Sequence, residues 1–173
     1  MRIPPCRPRV SGRALPRRAR PLPVALVACA VAWAGAAASG QDFGDHTSST
    51  LTTKAWEALG QQKHEAVAAY VGKCRELYEA EAIKQQAALE DYLPADKGHD
   101  AWALNDVGTC CFIEGQSLEK QGKKKEAAAA YRRLAGDLKF AQCWDPKGWF
   151  WKPAEAAAKR LKELDFDAVL DAK

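Results

Sequence analysis

The residues with the most chemical character sit in one short stretch, WDPKGWFWK, residues 144–152. Trp144, Trp149, Phe150 and Trp151 place four large aromatic rings within three residues of Asp145 or Lys152. Such a cluster suits recognition by stacking, either on a sugar ring or as an apolar anchor for a peptide. The competing use is a hydrophobic plug between the last two helices. Consecutive aromatic residues cannot all point inward, so at least one is expected at the surface.

Catalytic chemistry finds less support. Glycoside hydrolysis needs two carboxylates roughly 5 to 10 Å apart on a rigid scaffold. The pairs Asp145 with Glu155 and Asp100 with Asp106 read as ordinary helix surface. His46, His64 and His99 are scattered and read as loop or helix-end residues. There is no G-x-S-x-G nucleophile motif, phosphate loop or dinucleotide fingerprint. No catalytic, cofactor-binding or metal-binding residue is therefore assigned.

Six cysteines are present, and Cys74, Cys110, Cys111 and Cys143 lie beyond the first 40 residues. In an exported domain these four allow three complete disulfide pairings. Used instead as small apolar core residues, they stay reduced. Cys110 and Cys111 point about 100° apart on a helix, so at most one faces a given partner. No CxxC pair offers zinc-ligand spacing.

The elements that must position these residues are helices. In Gly115–Leu134, GQSLEKQGKKKEAAAAYRRL, Gly115 and Leu118 share a face. Gly122 can cap the first helix in a left-handed conformation. Ala127, Tyr131 and Leu134 then form a second apolar stripe. The small residues Gly115 and Ala127 let the two helices approach closely. The order and spacing of Gly115, Leu118, Gly122, Glu126–Ala127, Tyr131 and Leu134 resemble a tetratricopeptide repeat (TPR). Cys111 stands where that family has an early tryptophan, and the closing proline is out of place. Glu65–Ala66 and Tyr70 resemble the same signature more weakly, with Lys54 where a small residue is expected. The two signatures are 61 residues apart in the sequence, against about 34 for this repeat, so roughly 27 residues are inserted.

The resemblance implies an all-α fold: a short α-solenoid or antiparallel bundle of about five helices. Residues 41–51 read as a flexible linker, with a helix cap at Ser49 or Thr50 and a first helix over 52–62. The next helix runs from about His64 toward Glu90. LPADKG, residues 93–98, breaks the chain. One long helix follows over 100–121, capped by Asp100, and another over 123–139. Asp145–Pro146 signals a helix start, and Pro153 a second one. A short terminal helix over 154–164 leaves 165–173 as a tail. The helical domain is thus 52–164.

Residues 1–40 hold seven arginines, no lysine and no acid, followed by the apolar run Leu22–Ala34 and small residues. This reads as a secretory signal with cleavage after Ala38 or Gly40. The run is short of the ~20 residues that span a bilayer. Leu26–Cys29 also resembles a lipobox, which would make Cys29 a lipid anchor and the only membrane attachment. Beyond residue 40 the chain carries 19 basic and 22 acidic residues, a net charge of −3. That balance leaves no electrostatic footprint for nucleic acid.

The expectation is an exported protein, periplasmic or extracellular, that binds a protein or peptide partner, as TPR-like hairpins imply. Trp102, Asn105 and Asp106, where polar and aromatic residues adjoin on the long helix, are candidate contacts together with Trp144, Trp149 and Trp151. Carbohydrate is the alternative partner. WDPKGWFWK resembles a segment of small exported proteins labelled beta-glucanase precursors, although the carboxylates above supply no site for that reaction.

Overall fold

The computed structural model describes residues 40–145 and 147–171, with side chains through Asp165. The expected leader up to residue 39, its Cys29 and the last two residues lie outside that range. The fold is all-α, with five α-helices, one 3-10 turn and a two-stranded hairpin among the described residues.

Helix α1 spans Ser48–Gly60. It starts before Thr52 because Thr47, not Ser49 or Thr50, is its cap: the Thr47 side chain accepts from Thr50 N at 3.3 Å. Asp45 accepts in turn from Thr47 N and Oγ1. Asp42 pairs with Lys54 at 2.9 Å, and Tyr78 Oη donates to His46 O. Much of the expected linker 41–51 is therefore held in place, and its last four residues are helical, with Leu51 fully buried.

Helix α2 covers His64–Ala87, α3 Trp102–Lys120 and α4 Lys124–Asp137. The turns α1–α2 and α3–α4 share one design. Lys63 N donates to Ala58 O and Lys123 N donates to Leu118 O, both at 2.9 Å. Gly122 takes the left-handed conformation with φ +74°, and Gln62 takes it with φ +56° in the other turn. The same backbone bond pattern thus closes both helices.

Matching turns put the two hairpins 60 residues apart, one fewer than the sequence signatures suggest. The difference rotates the reading of α2 by about 100°. Val67, Val71 and Cys74, at 1%, 1% and 0% exposure, are the core residues equivalent to Ala127, Tyr131 and Leu134. Ala66 is only partly buried and Tyr70 lies one position off the stripe. The small residue that seemed missing from α1 is Ala55, fully buried and 60 before Gly115. Lys54 points elsewhere, toward Asp42.

Helix α3 is the hub and packs against α1, α2, α4 and the last helix, α5. Its broad buried side, including Leu104, Val107, Cys110, Cys111 and Ile113, explains why so much of it is apolar. Gly108 and Gly115 sit at close approaches, to Ala141 and to the Tyr131 ring.

Three boundaries differ from expectation. Asp100 does not cap α3; it lies in the 3-10 turn Gly98–Ala101 that leads into it. The Asp145 region starts no helix. Cys143–Asp145 (β1) and Trp149–Trp151 (β2) pair antiparallel, because β-favouring aromatic residues flank a turn containing Gly148. Helix α5 starts at Pro153 and continues to Asp171, through most of the expected tail. No helix among the described residues is long and apolar enough to cross a membrane.

Candidate functional site

The hairpin is fastened to the bundle by its own aromatic side chains. Trp144 pairs with Phe150 across the strands, their ring centroids 5.1 Å apart. Phe150 covers Gly98: a β-carbon there would come within 2.4 Å of the ring, so only glycine admits this packing. His99 flanks both rings, at 5.3 Å from Phe150 and 6.2 Å from Trp144. Trp151 meets Phe112 of α3 edge to face at 4.9 Å and Trp56 of α1 at 6.3 Å. Phe112 passes the contact on to Tyr131, 5.7 Å away.

Backbone entering β1 is tied down by Asn105. Its Nδ2 donates to Gly98 O at 2.7 Å, and its Oδ1 accepts from Gln142 N at 2.9 Å. Gln142 Nε2 donates to Leu93 O. Residue 105 therefore joins α3, the 3-10 turn and the hairpin. At the hairpin tip, Asp145 Oδ1 accepts from Lys147 N at 2.8 Å, which shapes the turn.

Two concavities open beside this assembly. One, of about 290 Å³, is lined by Trp56, Cys143, Trp144, Asp145 and Trp151. The other, of about 300 Å³, is lined by Ser49, His99, Trp102, Asn105, Asp106, Gln142, Cys143 and Trp144. They share Cys143 and Trp144 and so adjoin at β1 as a two-part groove lined by residues of α1, the 3-10 turn, α3, β1 and β2. Trp56, Trp102 and Trp144 keep 37%, 46% and 49% of their surface exposed around it. Trp102 is steadied by an edge-to-face contact with Tyr78 at 5.5 Å.

Its two carboxylates differ. Burial pushes the Asp106 carboxyl above its ordinary value, opposed by a hydrogen bond that Ser48 Oγ donates to Oδ2. Asp145 stands at the edge of the other concavity with Oδ1 used by the turn. Burial also pushes the Cys143 thiol up, so it is protonated at neutral pH and a poor nucleophile. Cys74, Cys110 and Cys111 are free and buried, and burial drives Cys111 up to about 12. Among the described residues, no group of three or more His, Cys, Asp or Glu is placed to hold a metal ion.

Trp102, Asn105 and Asp106, named from sequence on one long helix, meet Trp144, named on a separate segment, in one concavity; Trp151 lines its neighbour. Asn105 is 7% exposed and bonded on both amide atoms, so it positions the groove more than it presents itself to a partner. Trp149 is 50% exposed and lines neither concavity. Four groove residues were not among the expected contacts: Ser49, Trp56, His99 and Gln142. Trp56 shares a face with the buried Leu59 in sequence, yet its indole reaches the surface beside Trp151. His64 is the first residue of α2, a helix-end position, and its Nδ1 hydrogen-bonds Ser117 Oγ at 2.9 Å. Comparisons of the chain with protein-family models, with curated proteins and with solved structures find no match.

Proposed function

We propose that the protein is an exported interaction module of the cell envelope, built from two TPR-like helix hairpins, that seats a peptide segment of a protein partner in the aromatic groove. One observation carries this reading. Trp56, Trp102, Trp144 and Trp151 come from α1, α3 and both hairpin strands, and all four border two adjoining concavities. Tryptophan is the side chain that most often dominates binding energy at such surfaces. Covering half-exposed indoles removes large apolar areas from water. Pinned residues such as Asn105 preorganise the groove, which lowers the ordering cost of binding. Export rests on the Arg-rich start and apolar run of residues 1–40.

A carbohydrate partner is the second reading. It is favoured by the exposure of Trp149 and Trp144, 50% and 49%, on the outer part of the hairpin. No catalytic role accompanies it.

The test is affinity capture from an envelope extract with the protein and its Trp102→Ala/Trp144→Ala variant, both exposed positions. Partners lost by the variant support the groove; identical partners from both proteins refute it. Quenching of tryptophan fluorescence by gluco-oligosaccharides, lost in Trp149→Ala, would transfer support to the second reading. N-terminal sequencing of the secreted form tests export: the mature chain is expected to begin at Ser39 or Gln41.

A further inference from the structure

We propose that the concavity walled by Trp56 and Trp151, with Asp145 at its edge, binds the guanidinium group of an arginine on the partner segment. The proposal rests on the interaction-module reading and adds the chemistry of the ligand.

Two indoles and one carboxylate are groups that suit a flat organic cation. The face of an indole attracts a cation through its quadrupole, more strongly than phenylalanine or tyrosine does. A guanidinium is planar and weakly hydrated, so it stacks on such a face while its N–H fork reaches a carboxylate. Trp56 and Trp151 are 6.3 Å apart and tilted by 58°, so their rings form two walls of a corner rather than a closed stack. Trp144 borders the same space from β1, while its ring packs with Phe150 on the other face of the hairpin. At about 290 Å³ the space equals that of about ten waters at ~30 Å³ each, room for the end of one side chain with some of its hydration.

The charge for the cation comes from Asp145. Its Oδ1 serves the Lys147 amide in the turn. A carboxylate carries two oxygens and about four acceptor sites, so Oδ2 can take a second donor. Asp106, in the adjoining concavity, is less suited: it is engaged by Ser48, and burial disfavours its ionised form. Lys139 over Phe140 and Lys152 over Tyr92 make their cation–ring contacts elsewhere. The net charge of −3 beyond residue 40 also favours a basic segment over an acidic one.

The probe is N-acetyl-arginine methylamide, with N-acetyl-citrulline methylamide as its neutral isostere, titrated into protein carrying 15N-labelled tryptophan. The arginine probe is expected to shift the indole N–H signals of Trp56 and Trp151 saturably. Binding should weaken at least about threefold in Asp145→Asn, in citrulline, and on raising salt. Asparagine keeps the oxygen that accepts from Lys147 N, so this variant removes charge and retains the turn. Equal binding of both probes, unchanged affinity in Asp145→Asn, or no indole shift with the arginine probe overturns the proposal. Parallel capture separates the two levels. If partners are lost with Trp102→Ala/Trp144→Ala but kept by Asp145→Asn, the groove stands and the cation site falls. If the tryptophan variant keeps its partners, the groove reading itself falls.

Discussion

Gly115 of α3 lies directly beneath the ring of Tyr131 of α4: a β-carbon at position 115 would sit 2.3 Å from Tyr131 Cε1. No side chain fits in that gap. Tyr131 is fully buried, and its ring also meets Phe112, which carries Trp151 of the hairpin. This close approach of α3 and α4 is therefore linked by aromatic contacts to the wall of the groove.

Gly115→Ala is expected to destabilise the protein by about 1–3 kcal/mol, the usual range for overpacking. Thermal denaturation should show a fall in Tm of about 3–5 °C per kcal/mol. The neighbour is a buried ring packed against Phe112, so it cannot yield cheaply. An unchanged Tm would mean that α3 and α4 are not packed this closely.

The matching turns make opposite predictions for their left-handed residues. Gln62 has φ +56°, a conformation costing a residue with a β-carbon roughly 1–2 kcal/mol. Gln62→Gly should stabilise by about 0.5–1 kcal/mol after glycine's larger unfolded-state entropy is counted. Gly122 has φ +74°, and a β-carbon added there would meet nothing within 4 Å, so Gly122→Ala should lose about 1 kcal/mol through the backbone alone. Urea unfolding midpoints of the two variants should move in opposite directions.

Asn105→Ala should cost about 2–3 kcal/mol, because it orphans the buried Gln142 N–H and the Gly98 carbonyl. It should also loosen the hairpin. Near-ultraviolet circular dichroism, which reports the packing of Trp144 and Trp151, is the readout. A variant that loses stability but keeps the native aromatic spectrum would contradict the role of Asn105 as the tie between α3 and β1.

Asp106 sets a pH dependence. Its folded-state pKa is raised above the ordinary 3.8 by burial. Below that value the carboxyl is protonated in both folded and unfolded chains. As pH rises past it, the unfolded chain releases its proton first, so this group lowers stability until pH exceeds the folded-state value; beyond that the deficit is constant. Asp106→Asn keeps an acceptor for Ser48 and removes the deficit. The variant's stability relative to the parent should therefore grow from acid toward neutral pH. A difference that is flat with pH would show that Asp106 is ionised as easily folded as unfolded.

Much of the scaffold is legible in the chain. Gly115, Leu118, Gly122, Ala127, Tyr131 and Leu134 announce a helix pair, and α3 and α4 follow that pattern. The register of α2 reads one residue off because Glu65–Ala66 and Tyr70 imitate Glu126–Ala127 and Tyr131. The turn geometry, which sets the true offset of 60, depends on Gln62 adopting a conformation that its residue type does not advertise. No family model matches the chain, so the likeness to TPR hairpins is a proposal resting on these positions.

The aromatic segment shows where local reading ends. Asp145–Pro146 is a sound helix-start signal, yet Trp144 and Phe150 pair across a hairpin because Gly98, some 50 residues earlier, leaves a space for the Phe150 ring. Helix class, the α3–α4 hairpin and the clustering of aromatic residues near the C-terminus are local properties of periodicity, capping and composition, and the sequence alone determined them. The meeting of Trp56, Trp102, Trp144 and Trp151, and the contrast between Asp106 and Asp145, were decided only by tertiary structure. Both depend on burial and on contacts between residues far apart in the chain, which no local pattern of residue types encodes.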